Sequence, residues 1–471
     1  METGEVRLGL LFDGKDDGLA PPTCNLEITE SGRISLNILT VNPRKLRAEQ
    51  SVHDSFKRTF QWADGDCEDV PQTLILESSE GPVTLIGLRW NGTSQSNGVT
   101  VVRLNADAAI FERPRSVSGG YQIQEFCSTI DGLSQFCGFS GFKYIESGGS
   151  ATKSNTPIET LEKEAISWCS NGFDFVLEEE IASIGQEGSH FHLEVHPRLR
   201  TVSSNKAYID EHYHAHRKIR ALLTLLFGCR LPWRNHELID TQFPVRFVNG
   251  EESPPLPVKV LLSRTVSQHA EAKTPPAQLR FPAATLMQLG ARGLTNWCDR
   301  YEDEDFRHAV EPAVEAIATK GAFLEPTVMM LAISLDRFGY CGMGKKPREA
   351  LYVHIEYCLD VAGIDWPSIG SNLGLAKFIA GVNNALKHPD YVSRSGNNGY
   401  PSFLMLIAAR DLAIVAIRAQ VLIETGLADD VLSEYLDSPS VTQVRKFFEN
   451  NSMAVDGNGV ITSSSHCSNH E

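Results

Sequence analysis

The chain has 471 residues, 42% of them hydrophobic, with 43 Lys and Arg against 59 Asp and Glu, giving a formal charge of −16. That length supports roughly two to four domains, and the apolar fraction is that of an ordinary globular protein. The acidic balance argues against a protein that coats long nucleic acid, which needs a basic footprint, yet leaves room for a small RNA-acting site of different local charge.

The first stretch, 1–145, reads as β-rich. Asn25 to Thr29 and Arg33 to Ile38 alternate polar and apolar residues across a turn at Glu30-Ser31-Gly32. Gln72 to Leu76 and Val83 to Ile86 repeat the pattern across Ser79-Glu80-Gly81-Pro82, and Val99 to Val102 continues it. A Gly-punctuated apolar segment, Ile130 to Phe142, closes the region. The next stretch, 146–275, mixes types. Phe173 to Glu180 and His190 to His196 alternate like strands, and Ala207 to Phe227 has helical spacing that ends at Gly228. Val245 to Val248 and Val258 to Leu262 read as further strands, and Ser267 to Pro276 as a linker.

From 276 to 450 the pattern is helical. The predicted helices are Thr285–Tyr301, Phe306–Lys320, Glu325–Phe338, Arg348–Ala362, Ser371–His388, Pro401–Thr425 and Asp430–Glu449. Pro401 suits a first helical turn and Gly426 a helix end. Residues 451–471 are polar and Ser/Asn-rich, and predict a disordered tail. The fold class expected is therefore α+β, a β-rich N-terminal part followed by an all-α bundle. Phe403 to Ile423 is the most apolar stretch but carries Arg410, Asp411 and Arg418, so it reads as a core helix and no membrane partner is expected. Ten cysteines without CxxC spacing, and no apolar leader after Met1, point to reduced thiols and a cytoplasmic location.

The richest chemistry lies at Val382-Asn383-Asn384-Ala385-Leu386-Lys387-His388-Pro389-Asp390. Asn384 and His388 are four apart and share one helix face. Pro389 stops the helix and leaves His388 at its exposed end. An imidazole there suits proton transfer near neutral pH. The competing reading is a His and a Lys that merely complement a helix dipole.

Four other patterns carry less. His190, His192, Glu194 and His196 alternate on a strand, and His212 and His216 are i, i+4 on a helix. They could converge on Zn²⁺, but a polar strand face beside an amphipathic helix is preferred, and no cofactor is expected. Gly339 to Lys345 fits P-loop spacing only up to its Lys, since Lys346 replaces the Ser/Thr and a helix precedes it. The basic loop Lys345-Lys346-Pro347-Arg348 and the acidic run Asp299 to Asp305 read as solvated.

The helical third resembles a HEPN domain, and the whole chain resembles the ApeA-type anti-phage proteins. The resemblance rests on the β-rich start, the Ile130-Asp131-Gly132-Leu133 segment, the Leu222-to-Trp233 helix end, the bundle, and above all Asn383 to Asp390. That last stretch is similar to the family's Arg-Asn-x-x-x-His-x-Asp, with Asn384, His388 and Asp390 matching by position. Asp336 aligns with an acidic residue on an earlier HEPN helix. The resemblance implies a homodimer through the bundle, metal-independent cleavage of RNA (tRNA among the candidate substrates), and a phage protein as trigger. It also implies a catalytic set of His388, Asn384, Asn383, Lys387 and Asp336. Asn383 stands where active HEPN ribonucleases carry Arg, so Lys387, Arg394 or Arg410 must supply the cation, or the bundle is a non-catalytic sensor or scaffold.

Overall fold

A computed structural model of the chain describes residues 1–14, 20–41, 59, 70–96, 99–112, 121–139, 142–144, 158–160, 164–186, 190–241, 244–247, 250–345, 349–388, 400–427 and 429–463. In chain order the first half forms strands β1 (Val6–Phe12), β2 (Thr23–Ile28), β3 (Ile34–Val41), β4 (Thr73–Ser78), β5 (Val83–Ile86), β6 (Arg89–Ser96), β7 (Val99–Ala106), β8 (Ala108–Phe111) and β9 (Gln122–Ile130). A five-residue helix, α1 (Leu133–Cys137), follows. Then come β10 (Phe142–Tyr144), β11 (Ile158–Thr160), β12 (Ala165–Ser170), β13 (Phe173–Gln186), β14 (His190–Tyr208), helix α2 (Ile209–Phe227), β15 (Trp233–Ile239), β16 (Val245–Arg246), β17 (Glu252–Ser253), β18 (Val258–Leu262) and a single turn, α3 (Val266–His269).

Fourteen of these strands make one antiparallel sheet, in the order β12-β13-β14-β9-β15-β18-β8-β5-β4-β1-β2-β3-β7-β6. The two hairpins expected from alternation form: Leu26 pairs with Leu36, and Leu74 with Leu85. Gly32, at φ 77°, closes the first turn, and its amide donates to the Thr29 carbonyl. Alternation puts Leu26, Ile28, Ile34, Leu36, Ile38, Val102 and Leu104 on one buried face, where they pack with Leu11, Leu74 and Leu85. Strands from 1–145 and from 146–275 thus share a single sheet, because β9 pairs with both β14 and β15.

The second half is helical. It comprises α4 (Leu286–Arg300), α5 (Glu304–Ala318), α6 (Leu324–Gly342), α7 (Leu351–Val361), α8 (Asn372–Lys387), α9 (Phe403–Glu424), α10 (Asp429–Leu436) and α11 (Pro439–Asn450). The helix expected over Asp430–Glu449 is two helices. Ser438 accepts from the Val441 amide as an N-cap and Pro439 opens the new first turn, so the chain restarts there. Ser402, not Pro401, starts α9, its hydroxyl accepting from the Met405 amide. Residues 451–471 do not begin as a disordered tail. β19 (Met453–Val455) and β20 (Ile461–Ser463) pair as a hairpin that buries Met453 and Val455. The Val455 amide donates to the Ile369 carbonyl, and a Cβ on Gly374 would meet the Asp456 carbonyl at 2.4 Å, so glycine permits the close approach to the start of α8.

Helix α2 joins sheet to bundle. It packs on β9 and β14 and also meets α5 and α9. It ends at Gly228 (φ 65°). The buried Arg418 of α9 donates to the carbonyls of Leu226 and Phe281, and the Trp297 indole of α4 donates to the Lys218 carbonyl at 2.8 Å. No described helix is long and apolar enough to cross a membrane.

Candidate functional site

Helix α8 builds the site by its own amphipathicity. Ser371 caps it, accepting from the Gly374 amide at 3.2 Å. Leu375, Phe378, Ile379 and Val382 are buried on one stripe, each contributing about 1.5–3 kcal/mol on transfer from water. The helix stops at Lys387. His388 follows in an extended conformation, φ −128° and ψ 93°, as expected for a residue before proline. Its amide still closes the last turn, donating to the Asn384 carbonyl at 2.9 Å. His388 and Lys387 are exposed and Asn384 is half-buried. The imidazole thus sits at an open helix end.

Asn383 differs from its neighbours. It is 1% exposed and continues the buried stripe, with its Oδ1 making no hydrogen bond. A side chain at this position faces the bundle interior. Asp390 and Arg394 lie outside the described residues. Arg410 donates from its Nε to the neighbouring Asp411 at 2.7 Å.

Asp336, on α6, is brought to a partner the sequence did not suggest. Its Oδ1 accepts from His354 Nδ1 of α7 at 2.7 Å. Gly339 makes this possible: a Cβ there would fall 2.5 Å from the Cβ of His354, so only glycine lets α6 and α7 approach this closely. His354 is buried with its Nε2 unbonded, in the manner of an imidazole oriented by a carboxylate. Periodicity alone makes His354 one more inward position of an apolar helix, and no local signal marks it out.

The histidine-rich region resolves differently. The side chains of residues 190–194 lie outside the described residues. His212 and His216 are fully buried and share one hydroxyl, Thr201 Oγ1, at 2.9 Å each. His216 Nδ1 meets Ser128 Oγ at 2.7 Å, Ser128 meets His236 Nδ1 at 2.8 Å, and His236 Nε2 meets Thr265 Oγ1 at 3.0 Å. At the far end His212 Nε2 faces the Ile123 carbonyl at 3.3 Å, which can only accept. With the Ile123 end taken as fixed, one consistent set of directions follows along the chain. His212 carries its hydrogen on Nε2, Thr201 donates to His212, His216 donates from Nε2, Ser128 donates to His216, His236 donates from Nδ1, and Thr265 donates to His236. All three imidazoles are neutral in this arrangement and each of their ring nitrogens has a hydrogen-bond partner, while the Thr265 hydroxyl gives up its 3.3 Å contact with the Leu262 carbonyl. Burial accordingly pushes His212 down to about 4, and His216 and His236 well below the usual range. His269, whose ring lies tilted 5.6 Å from that of His236, is also held down to about 4 by burial. Among the described residues no group of three or more His, Cys, Asp or Glu is arranged to hold a metal ion.

The P-loop-like stretch is helical through Gly342, so it forms no phosphate cradle. Lys345 is paired with Asp305 and Asp303. A surface cleft of about 600 Å³ lined by Gln135, Leu279, Arg280 and Thr285 includes none of the α8 residues.

The family model described as ApeA N-terminal domain 1 matches residues 3–240, just over half of the chain. No curated protein matches the chain, and neither does any solved structure.

Proposed function

The chain belongs to the ApeA family of anti-phage proteins, and from that premise we propose that its helical half is a HEPN-type bundle that cleaves RNA without a metal ion when infection triggers it. The observation that carries the reading is His388, an exposed imidazole at the end of α8 with Asn384 one turn behind it. In the proposed reaction a ribose 2′-hydroxyl attacks the adjacent phosphorus as His388 takes its proton. The P–O5′ bond breaks, and the departing oxygen receives a proton from an imidazolium. The products are a 2′,3′-cyclic phosphate and a 5′-hydroxyl. Two imidazoles in one cleft serve both steps, which calls for a second copy of the chain.

Exposed apolar residues near the start of α6 and α9 support self-association. Phe323 is 79% exposed and Phe403 70%, while Tyr400 donates to Glu325 and ties the two helix starts together. The sheet half is the proposed sensor for a phage protein. Its link to the effector half is α2, bonded to the sheet through His212 and His216 and to α9 through Arg418.

A second reading has its own support. Position 383 offers neither charge nor exposure, which fits a bundle that binds and signals without cutting. To separate the two, the full chain is incubated with tRNA in EDTA, with and without extract of phage-infected cells, beside His388→Ala. The nuclease reading expects loss of RNA with the wild type and survival with the variant. Equal survival in all samples overturns it and leaves the sensor.

A further inference from the structure

We propose that Lys387 is the phosphate-binding cation of the α8 site, taking over the charge that position 383 lacks; the proposal rests on the RNA-cleavage reading. Positions 383 and 387 are four apart. That spacing puts Lys387 roughly 40° round the helix from Asn383 and about 6 Å further along its axis. Asn383 is 1% exposed and Lys387 is exposed, so 387 is the first position on that side of α8 from which a long cation reaches solvent. Long side chains in a helix lean back toward its N-terminus. The ammonium is therefore carried back over the Asn383–Asn384 turn, on a backbone position adjacent to the exposed His388, so that one phosphodiester lying across the helix end can meet both side chains.

Electrostatics supplies the need. His388 closes a helix C-terminus, where unpaired carbonyls and the aligned peptide dipoles present about half a negative charge. Left bare, that end repels the phosphodiester on which His388 must act, and the repulsion grows as charge develops on the phosphate oxygens. Lys387 is the basic residue of the last turn of α8 and offsets it. Its described rivals are engaged, Arg410 with Asp411 and Lys345 with Asp305. An ammonium is a point charge that grips phosphate without fork geometry, so the site selects the RNA backbone rather than a base.

The test uses the full chain, with extract of phage-infected cells added, and a short single-stranded RNA in EDTA. Lys387→Ala is expected to lower the cleavage rate roughly 10²–10³-fold, and Lys387→Arg to keep most of it. Binding is read separately in a His388→Ala background, where Lys387→Ala should flatten the plot of log affinity against log salt by about 0.7 for each phosphate no longer neutralised. Because Lys387 is exposed, the melting temperature should not move. If Lys387→Ala cleaves and binds like wild type while His388→Ala is inert, the nuclease reading stands and this proposal is overturned. If wild type does not cleave at all, the nuclease reading falls, and the salt slope decides. An unchanged slope overturns the proposal, and a flattened one retains Lys387 as an RNA-binding cation.

Discussion

Acidifying the solution from pH 7.5 to 5.5 should strip several kcal/mol from the sheet half of the protein, through histidines that cannot accept a proton while folded. His212 and His269 titrate near 4 in the fold against an ordinary 6.5, and burial lowers His216 and His236 further. Each has a folded pKa depressed below its unfolded one. The unfolded chain therefore binds more protons as pH falls through 6.5, and stability drops with it. At pH 5.5 an unfolded imidazole is stabilised by about 1.4 kcal/mol of proton binding while a folded one at 4 gains almost nothing, so each group costs about 1.3 kcal/mol relative to pH 7.5. His212 and His269 together account for about 2.6 kcal/mol, and His216 and His236 add to it in the same direction, a large share of a small domain's whole stability. Glu237, raised by burial, works in the opposite direction as a single group. Trp233, whose ring lies 5.0 Å from that of His236, reports the region. Urea transitions followed by its fluorescence should shift steeply to lower urea between pH 7.5 and 5.5 with little change in slope. His216→Gln, which keeps one donor and one acceptor, should flatten the dependence. A midpoint that stays fixed across this range would refute the neutral hydrogen-bonded chain.

Other perturbations test separate parts of the account. Asn383→Arg places a guanidinium at a buried position, so it should lower the melting temperature by several degrees, corresponding to about 2–4 kcal/mol, rather than switch on cleavage; a thermal melt and an RNA assay on one preparation read both. Gly339→Ala must push α6 and α7 apart at His354 and should cost about 1–3 kcal/mol in urea unfolding. Ending the chain at Asn450 removes the hairpin on α8, and should raise hydrogen exchange at Ser371–Phe378 while leaving β1–β3 protected.

Much of this fold is legible in the sequence because its signals are local. The β2–β3 and β4–β5 hairpins follow from alternation and a turn glycine, and α8 from its apolar stripe and the proline that ends it. The exposed His388 at that end follows from the same signals. Three features do not, for one physical reason, namely that tertiary partners decide them. Ser438 and Pro439 split an unbroken helical pattern because α10 and α11 each bury their own face, around Tyr435 and Phe448. The last hairpin lies in polar sequence and is held by close backbone approach at Gly374, which no periodicity reports. The histidines around Ser128 come from α2 and β15, and their hydroxyl partners lie up to 108 residues away, so i, i+4 spacing, which admits a metal site or an amphipathic helix, does not report the hydrogen-bond chain that stands there. Asn383 lacks a charge by sequence alone, and its burial adds the sharper constraint that the charge has to enter from elsewhere.

The central claim is an imidazole that moves protons in RNA cleavage without a metal. Its most direct test is the chemistry of the ends made when the triggered full-length protein acts on RNA in EDTA. The account predicts 2′,3′-cyclic phosphate and 5′-hydroxyl ends that vanish with His388→Ala. Intact RNA, or ends carrying a 5′-phosphate and a 3′-hydroxyl, would contradict it.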